Sequence, residues 1–309
     1  MIRAVFLALC LLLLAQPAAA QQKLKAIASF SILADIVTQI GGDRVEVRTL
    51  VPAMGDAHVY QPTPSDARAV AGADVLVSNG LNFETWLDRL IAATNYKGRR
   101  IVAAEGITPR QMSGHHHGHD HGGRHDHGKT GIEDDPHVWH DLARMQVYVA
   151  TIAEGLAAAD AGNAAHYRQR GAAYAAELRQ LDAWAAAQFA AVPKSYRKAI
   201  TQHDAFGYLA DRYEVEFLAA QGVTTESEAS AEGIARLIRQ IKRNRVQAIF
   251  FENVANPRLI EQVARDAKVK IGGRLYSDAL SPPGGEAETF IAMYRLNVSR
   301  LIEAMRRDG

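Results

Sequence analysis

Cysteine is almost missing from this chain. Its 309 residues contain a single one, Cys10, which lies inside an apolar run near the amino terminus. If that run is removed, no thiol remains, and disulfides and cysteine-ligated zinc sites are both excluded. The alternative is a lipid anchor on Cys10. It would require the thiol at the cleavage point after a small residue, whereas Leu9 precedes it and more apolar sequence follows.

The chain also lacks an excess of charge and, beyond its start, any long hydrophobic run. The formal net charge is +1, so the total charge does not indicate nucleic acid or an anionic membrane surface as a partner. Arg3 precedes an apolar segment at 4–14, and residues 17–20 read Pro-Ala-Ala-Ala. We therefore expect residues 1–20 to be a signal peptide, cleaved after Ala20, and the mature protein to be periplasmic. No later segment approaches the length needed to span a bilayer.

Strand and helix patterns alternate in both halves of the remaining sequence. Apolar runs of strand length are followed by helical patterns across residues 24–103, and again across residues 198–307. This alternation is typical of parallel sheets covered by helices on both faces. The sequence therefore predicts the α/β class with two lobes. Within the first half, helices are predicted at 65–71, with Ser65 as the N-cap, and at 84–93.

An alanine-rich stretch at 142–191 separates the two halves. An apolar stripe of helical spacing runs through Met145, Val149, Ile152 and Leu156. A break is predicted at 160–163, followed by a long helix that ends near Pro193. A long helix is a stiff connector, so we expect the lobes to move little. The expected organisation is an N-terminal α/β lobe at 21–140, a linking helical segment at 141–191 and a C-terminal α/β lobe at 192–309.

Residues 114–131 form a low-complexity insert of His, Gly and Asp with no apolar side chain. Such a segment cannot bury a face, so we expect a disordered surface loop. It holds seven of the chain's twelve histidines, namely His115, His116, His117, His119, His121, His125 and His127. Flexible neutral imidazoles bind metal loosely and exchange it quickly. The density of histidine favours accessory zinc collection over an inert polar loop.

Four potential metal ligands lie outside this insert, two in each half: His58, His137, His203 and Asp278. All but His137 come shortly after a predicted strand, and the carboxyl ends of strands line the ligand crevice of open α/β sheets. A lone histidine is more often a surface or core residue, but four candidates in matched settings favour a shared site. Three imidazoles and one carboxylate suit tetrahedral Zn²⁺, and four protein ligands leave no position open for catalysis. The pattern predicts a protein that holds a metal and is not an enzyme.

Other polar residues near these positions have less specific predictions. His140 could pair with His137 on a helical face, but a place beside the ligands or an exposed position is favoured. Asp141 and Asp204 adjoin ligand candidates and could orient an imidazole, with capping or solvation as equal alternatives. Structural or solvated roles are preferred for His166, Glu226 and Glu228.

The segments around the four ligands resemble the metal-binding substrate-binding proteins of ABC importers, the group that serves zinc and manganese (cluster A-I). The matching segments are His58-Val-Tyr-Gln-Pro-Thr-Pro-Ser-Asp66, Asp135-Pro-His-Val-Trp139, His203-Asp-Ala-Phe-Gly-Tyr208 and Tyr276-Ser-Asp-Ala-Leu-Ser281. The resemblance covers essentially the whole chain after residue 20. It implies two Rossmann-like lobes bridged by a long rigid helix, with metal between them, and the four candidates fall on the family's ligand positions. Ala57 departs from the pattern, since many members have proline there.

The resemblance further implies an extracytoplasmic, high-affinity zinc receptor that delivers Zn²⁺ to an ABC permease in the membrane. A periplasmic zinc metallochaperone is a further candidate partner, nucleic acid is not, and a monomer is expected. Manganese members usually carry a carboxylate at the third ligand, so His203 favours zinc. The nearest alternative is a manganese or broad-metal receptor. A zinc hydrolase, with Asp278 as its base, and an adhesin or zinc buffer without a transporter are the others.

Overall fold

The computed structural model describes residues 22–113, 132–219, 225, 231–244, 246, 248–254 and 257–306. The predicted signal peptide, the histidine-rich insert, Glu226 and Glu228 lie outside these residues. The strands are β1 Leu24–Phe30, β2 Val45–Val51, β3 Val75–Ser78, β4 Arg99–Val102, β5 Gln111–Ser113, β6 Ile132–Asp134, β7 Lys198–Thr201, β8 Glu216–Ala219, β9 Ala248–Glu252 and β10 Lys270–Leu275. The helices are α1 Ser31–Gly41, α2 Pro64–Ala71, α3 Leu87–Thr94, α4 Met145–Ala159, α5 Ala164–Ala190, α6 Gly207–Tyr213, α7 Ala231–Asn244, α8 Arg258–Ala267 and α9 Phe290–Arg306.

Two parallel four-stranded sheets form the framework. The strand order is β2-β1-β3-β4 in the first sheet and β8-β7-β9-β10 in the second. Counted within each sheet, both orders read 2-1-3-4, the doubly wound arrangement whose crevice opens between the first and third strands. The predicted α/β fold with two lobes is therefore confirmed. Strands β5 and β6 form a separate antiparallel pair on either side of the histidine-rich insert.

Helix α5 connects the two sheets and is the longest described helix, with 27 residues. It packs along α4 and against α1 and α9. Its buried face is Tyr167, Gly171, Tyr174, Leu178, Leu181, Ala185 and Phe189. Gly171 permits close approach of α4, because a Cβ at this position would lie 2.8 Å from the Cβ of Ala153. The predicted break is present as a short 3-10 turn at Ala161–Asn163.

The apolar core follows this arrangement. One buried cluster is continuous through the first sheet, α4, α5 and the C-terminal helix α9. A smaller cluster fills the space between α7, α8 and the second sheet, with Leu237, Ile249 and Val263 among its members. Helix α9 packs on β10 and also on α1 and α5, so it contacts both lobes. Among the described residues, no helix is both long enough and apolar enough to cross a membrane.

Helix α2 begins one residue earlier than predicted and has a different cap. The Thr63 hydroxyl accepts the N–H of Asp66 at 3.3 Å, and the Asp66 carboxylate accepts the N–H of Thr63 at 2.8 Å. This reciprocal pair is a capping box, and Pro64 occupies the first turn. The predicted Ser65 cap is wrong, because Ser65 already lies inside the helix and its hydroxyl accepts from Arg48 at 3.2 Å.

Helix α3 also starts later than predicted, at Leu87 and not at Glu84. The Glu84 carboxylate turns back and accepts the N–H of Asn79 at 2.7 Å and the hydroxyl of Ser29 at 2.5 Å. Glu84 therefore closes the loop after β3, and the helix follows this loop. Burial raises the pKa of the Glu84 carboxyl, although these hydrogen bonds oppose the shift.

Candidate metal centre

The four predicted ligands meet between the two sheets. His58 lies in the loop after β2, and His137 immediately precedes a 3-10 turn at Val138–His140. His203 follows β7, and Asp278 follows β10. All four are buried, and they offer one ligand atom each such that every pair of atoms lies within 4.8 Å. The fold thus brings two side chains from each lobe into one cluster.

The Asp278 carboxylate lies at the centre of this cluster. Its Oδ2 is 3.1 Å from Nε2 of His203 and 3.5 Å from Nε2 of His58. Its Oδ1 is 3.6 Å from Nε2 of His137. A tetrahedral zinc ion with bonds of about 2.0–2.1 Å separates its ligand atoms by about 3.3–3.4 Å. These separations therefore match a small tetrahedral cation with little rearrangement.

Two further carboxylates fix the orientation of two of the three imidazoles, those of His137 and His203. Oδ1 of Asp135 lies 2.8 Å from Nδ1 of His137 and also accepts the N–H of that residue at 3.0 Å. Glu252 makes a short contact through Oε2 to Nδ1 of His203, and its Oε1 accepts the N–H of His203 at 2.8 Å. A carboxylate at Nδ1 holds the proton there and leaves the lone pair of Nε2 directed at the cluster.

Neither carboxylate was predicted from the sequence, where Asp141 and Asp204 were the candidates because they adjoin the ligands. Asp141 instead accepts the N–H of Ala143 at 2.8 Å and pairs with Arg144, so it is a local cap. A usable signal was present, because Glu252 is an acidic residue at the end of a buried apolar strand.

The two remaining histidines outside the insert differ in their surroundings. His140 is fully buried next to the centre, and its Nε2 lies 3.1 Å from the carbonyl oxygen of Ser277. His166 is remote from the cluster, and its Nε2 lies 3.1 Å from the carbonyl oxygen of Gly41. The structural role predicted for His166 agrees with this contact. Of the polar loop that contains Glu226 and Glu228, only Thr225 is described, and its hydroxyl donates to Asp56 at 2.6 Å.

The loop that carries His58 is held from several sides. The Trp86 indole N–H donates to the carbonyl of Ala57 at 2.7 Å. The Tyr60 hydroxyl donates to Asp66 at 2.8 Å, and Asp56 accepts the N–H of His58 at 2.9 Å. The ring of Phe83 lies edge-on to His58 with centroids 4.7 Å apart. Alanine at position 57, where proline was noted as common, is thus fully buried in a loop fixed by its neighbours.

Charge at the centre is strongly coupled. Burial disfavours the His203 cation, but the carboxylates of Glu252 and Asp278 outweigh it and hold the pKa of His203 well above its ordinary value. Burial likewise opposes ionisation of Asp278, yet His203 and His137 hold the pKa of that carboxyl well below its usual range. The two carboxylates therefore attract positive charge into a site that excludes water.

Several ligand atoms lack a regular hydrogen-bond partner among the described residues. They are buried, and they comprise the Nε2 atoms of His58, His137 and His203 and both oxygens of Asp278. Buried polar atoms are nearly always paired. Three imidazole lone pairs and a carboxylate directed at one point are the donor set of a divalent transition metal. The residues present therefore fit a metal ion.

The fold and the centre together define a metal-binding receptor built from two α/β lobes. Comparison with known proteins gives the family. The profile of the family described as zinc-uptake complex component A, periplasmic, matches residues 27–304, and the chain belongs to this family. Its members are substrate-binding receptors of ABC transporters, so the prediction that the chain is not an enzyme is confirmed, and the hydrolase alternative is excluded.

The descriptions of individual relatives name different metals. The periplasmic zinc-binding protein TroA of Treponema pallidum superposes with a TM-score of 0.83 at 28% identity, over 93% of this chain and 100% of that one. A cadmium-bound periplasmic metal-binding protein from Candidatus Liberibacter asiaticus gives 0.78 at 28% identity, over 92% and 100%. The manganese-binding lipoprotein MntA of Halalkalibacterium halodurans is 30% identical over 91% of this chain and 88% of its own length. The family assignment thus gives a metal receptor without deciding the metal.

Proposed function

We propose that the chain is an extracytoplasmic receptor that binds one Zn²⁺ at His58, His137, His203 and Asp278 and delivers it to an ABC permease. The observation that carries this proposal is the cluster itself, in which three Nε2 atoms lie 3.1–3.6 Å from the Asp278 carboxylate, close to the edge length of a zinc tetrahedron. The metal is the cargo of the receptor, and closed coordination suits transport without chemistry.

Zinc is favoured over manganese by the donor set. Mn²⁺ prefers oxygen ligands and octahedral geometry, and it lies at the low-affinity end of the divalent series. The third ligand, His203, supplies nitrogen, and its orientation is fixed by Glu252. One observation supports a broad-metal receptor as second candidate: both oxygens of Asp278 face imidazoles. Two-oxygen coordination by Asp278 would give a fifth ligand atom, and some relatives are named for manganese.

The test is metal binding by the full chain purified without a tag. We expect one tightly bound Zn²⁺ per chain and weaker binding of Mn²⁺ in direct competition. Because the ligands come from two lobes, zinc at about a hundred times its Kd should raise the free energy of unfolding by about 2.7 kcal/mol.

Two alanine variants separate the site from other histidines. His203→Ala should abolish the rise in melting temperature, whereas His166→Ala should retain it. A melt that responds to neither zinc nor chelator would exclude the proposed site. Tighter binding of Mn²⁺ than of Zn²⁺ would favour the second candidate.

The remaining features of the proposal concern the whole protein. We propose residues 21–140 and 192–309 as the two lobes, 141–191 as the connector, and a monomer in solution. A periplasmic location follows from a signal at 1–20 cleaved after Ala20, and a zinc metallochaperone is a candidate donor. Several relatives are named lipoproteins, so the mass of the mature protein should be measured. A lipid on Cys10 would contradict cleavage after Ala20.

The histidine-rich insert is proposed as an accessory that collects zinc through His115, His116, His117, His119, His121, His125 and His127. The four-ligand centre does not depend on it, because His58, His137, His203 and Asp278 are all held by described residues of the two lobes. Zinc titration of a chain lacking residues 114–131 tests this, and loss of the tight site would contradict it.

A further inference from the structure

One buried histidine beside the metal centre is not among its ligands. His140 Nε2 lies 3.1 Å from the carbonyl oxygen of Ser277, and the indole N–H of Trp139 donates to the same oxygen at 2.8 Å. Trp139 and His140 belong to the 3-10 turn that follows His137, whereas Ser277 lies in the other lobe. Two neighbouring side chains therefore converge on one carbonyl directly before the ligand Asp278.

We propose that His140 is a positioning residue of the metal centre, which fixes the peptide between Ser277 and Asp278 and thereby the direction of the Asp278 carboxylate. The inference rests on the metal site proposed above. It extends that site to a residue that does not contact the ion.

The chemistry of the contact assigns the donor role to His140. A carbonyl oxygen only accepts, so Nε2 carries the proton and Nδ1 the lone pair. Burial, followed by the neighbouring His137, lowers the pKa of His140 to about 3, so the ring is neutral. The plane of the ring is held by Phe206 and Trp139, whose centroids lie 4.6 and 5.8 Å from that of His140.

The same ligand segment is held from within its own lobe. Oδ1 of Asn253 accepts the N–H of Ser277 at 3.1 Å, and its Nδ2 donates to the carbonyl of Ala279 at 2.8 Å. With His140 and Trp139 on the opposite side, the N–H and carbonyl of Ser277 and the carbonyl of Ala279 have partners before any metal arrives. Groups that are already ordered lose less entropy on binding, so the affinity of the centre rises.

The fold gains little from a histidine at this position. Nδ1 of His140 is buried and has no hydrogen-bond partner within the described residues, and an unpartnered buried nitrogen is unfavourable. A leucine of similar size should therefore fold at least as well. A purely structural role predicts that His140→Leu lowers stability. A positioning role predicts that it lowers metal affinity while the metal-free melting temperature is unchanged or higher.

Two further variants isolate the hydrogen bond. His140→Gln places an amide N–H near the position of Nε2 and keeps the donor. His166→Leu is the matched control, because Nε2 of His166 also lies 3.1 Å from a backbone carbonyl, that of Gly41, far from the cluster. All variants are made in the full chain.

The measurements are the zinc Kd by competition with a chelator, the visible spectrum of the Co²⁺ complex, and the metal-free melting temperature. We expect His140→Leu to weaken zinc binding by about tenfold or more and to shift the Co²⁺ bands. His140→Gln should retain most of the parent's affinity, and His166→Leu should match the parent.

Parent-like affinity in His140→Leu, or equal losses in His140→Leu and His140→Gln, would overturn the inference while leaving the proposed function intact. A loss of affinity with an unchanged Co²⁺ spectrum and a lower metal-free melting temperature would also overturn it. Failure of the parent chain to bind zinc or Co²⁺ would overturn the inference and the proposed function together.

Discussion

Glu252 contacts a ligand residue at two points without reaching the ion. Its Oε2 faces Nδ1 of His203, and its Oε1 accepts the N–H groups of His203 and Gln202 at 2.8 and 2.6 Å. A carboxylate can accept at all three positions, whereas an amide cannot. In Glu252→Gln, the NH₂ group meets either the two backbone N–H groups or Nδ1 of His203, and in the second case Nδ1 accepts only if the ring proton moves to Nε2.

We therefore expect Glu252→Gln to weaken zinc binding by about 10–100-fold, the usual effect of removing a carboxylate that orients a ligand imidazole. Part of this loss comes from the other tautomer of His203, in which the proton occupies the metal-facing Nε2. The measurement is zinc competition with a chelator. Glu154→Gln, at an exposed residue paired with Arg168, is the control and should bind like the parent. Equal affinities in all three proteins would contradict the role of Glu252.

The coupled charges at His203 predict an unusual pH range for binding. The pKa of His203 is held well above 6.5 in the metal-free protein, so zinc must displace a proton at neutral pH. Affinity should keep rising above pH 6.5, by about tenfold per pH unit for one proton. The stability of the metal-free protein depends on pH in the opposite direction. The raised pKa of His203 stabilises the folded state at any pH below about 6.5, the pKa of histidine in the unfolded chain. This contribution is lost as the pH rises through the pKa of His203 in the folded state.

Calorimetric zinc titrations in buffers of different ionisation enthalpy count the released protons. At pH 7 we expect about one, assigned to His203. Glu252→Gln should release fewer protons, because one of the two carboxylates that raise the pKa of His203 is gone. Constant affinity from pH 6.5 to 8 with no proton release would contradict the assignment.

The ligands could be predicted from the sequence, whereas the sequence did not indicate which carboxylate lies behind which imidazole. His58, His203 and Asp278 each follow an apolar strand, and the chain direction then places them at the crevice edge of a sheet. The partner of His203 is set by which strands are neighbours, because β7 pairs with β9 and Glu252 is 49 residues away. Sequence adjacency pointed instead to Asp204. Pairing between distant strands is a tertiary property that no local pattern records.

At the scale of elements, the start of α2 shows a competition between two hydroxyl residues. Thr63 and Ser65 both precede the apolar part of the helix, and Ser65 was predicted as the cap. Pro64 decides the outcome, because proline is favoured in the first turn and restricts the residue before it to extended conformations. Thr63 is extended, with φ −93 and ψ 165, and Asp66 completes the capping box.

Thr63→Ala should therefore lower the free energy of unfolding by about 1 kcal/mol, and Ser65→Ala should change it little. The reason is that Thr63 satisfies a free N–H at the end of the helix, whereas Ser65 contacts only the partly exposed Arg48. Urea unfolding of both variants in the metal-free state gives the comparison. A larger loss of unfolding free energy in Ser65→Ala than in Thr63→Ala would support Ser65 as the cap, as predicted from the sequence.

At the scale of the whole molecule, the two sheets share one strand order, and the metal centre lies where their crevices face each other. Alternating strand and helix patterns were sufficient to predict each sheet, because local hydrophobic periodicity specifies the elements. The way the sheets face each other depends on the packing of α5 and α9 across both lobes. The periodicity did not indicate that arrangement, which was predicted from the matched positions of the four ligand candidates and from the family resemblance.

The contacts between the lobes predict that they move little when metal binds. The backbone groups that bond across the interface include the N–H of Met54 to the carbonyl of Leu280 at 3.0 Å, the N–H of Leu280 to the hydroxyl of Ser31 at 2.9 Å, and the N–H of Phe290 to Asp35 at 2.8 Å. None of these contacts includes a metal ligand, so they persist without the ion. Together with the continuous helix α5, they oppose hinge opening.

Small-angle X-ray scattering of the metal-free and zinc-loaded chain measures this motion. A folded chain of this length has a radius of gyration of about 19 Å, and we expect the same value in both states. The variant Asp35→Ala lacks one interface contact and should expand more on metal removal than the control Asp43→Ala, which changes an exposed residue. A contraction of the parent by more than about 1 Å on zinc loading would show hinge closure. Metal release would then require opening of the lobes, and the interface contacts would have to break in each transport cycle.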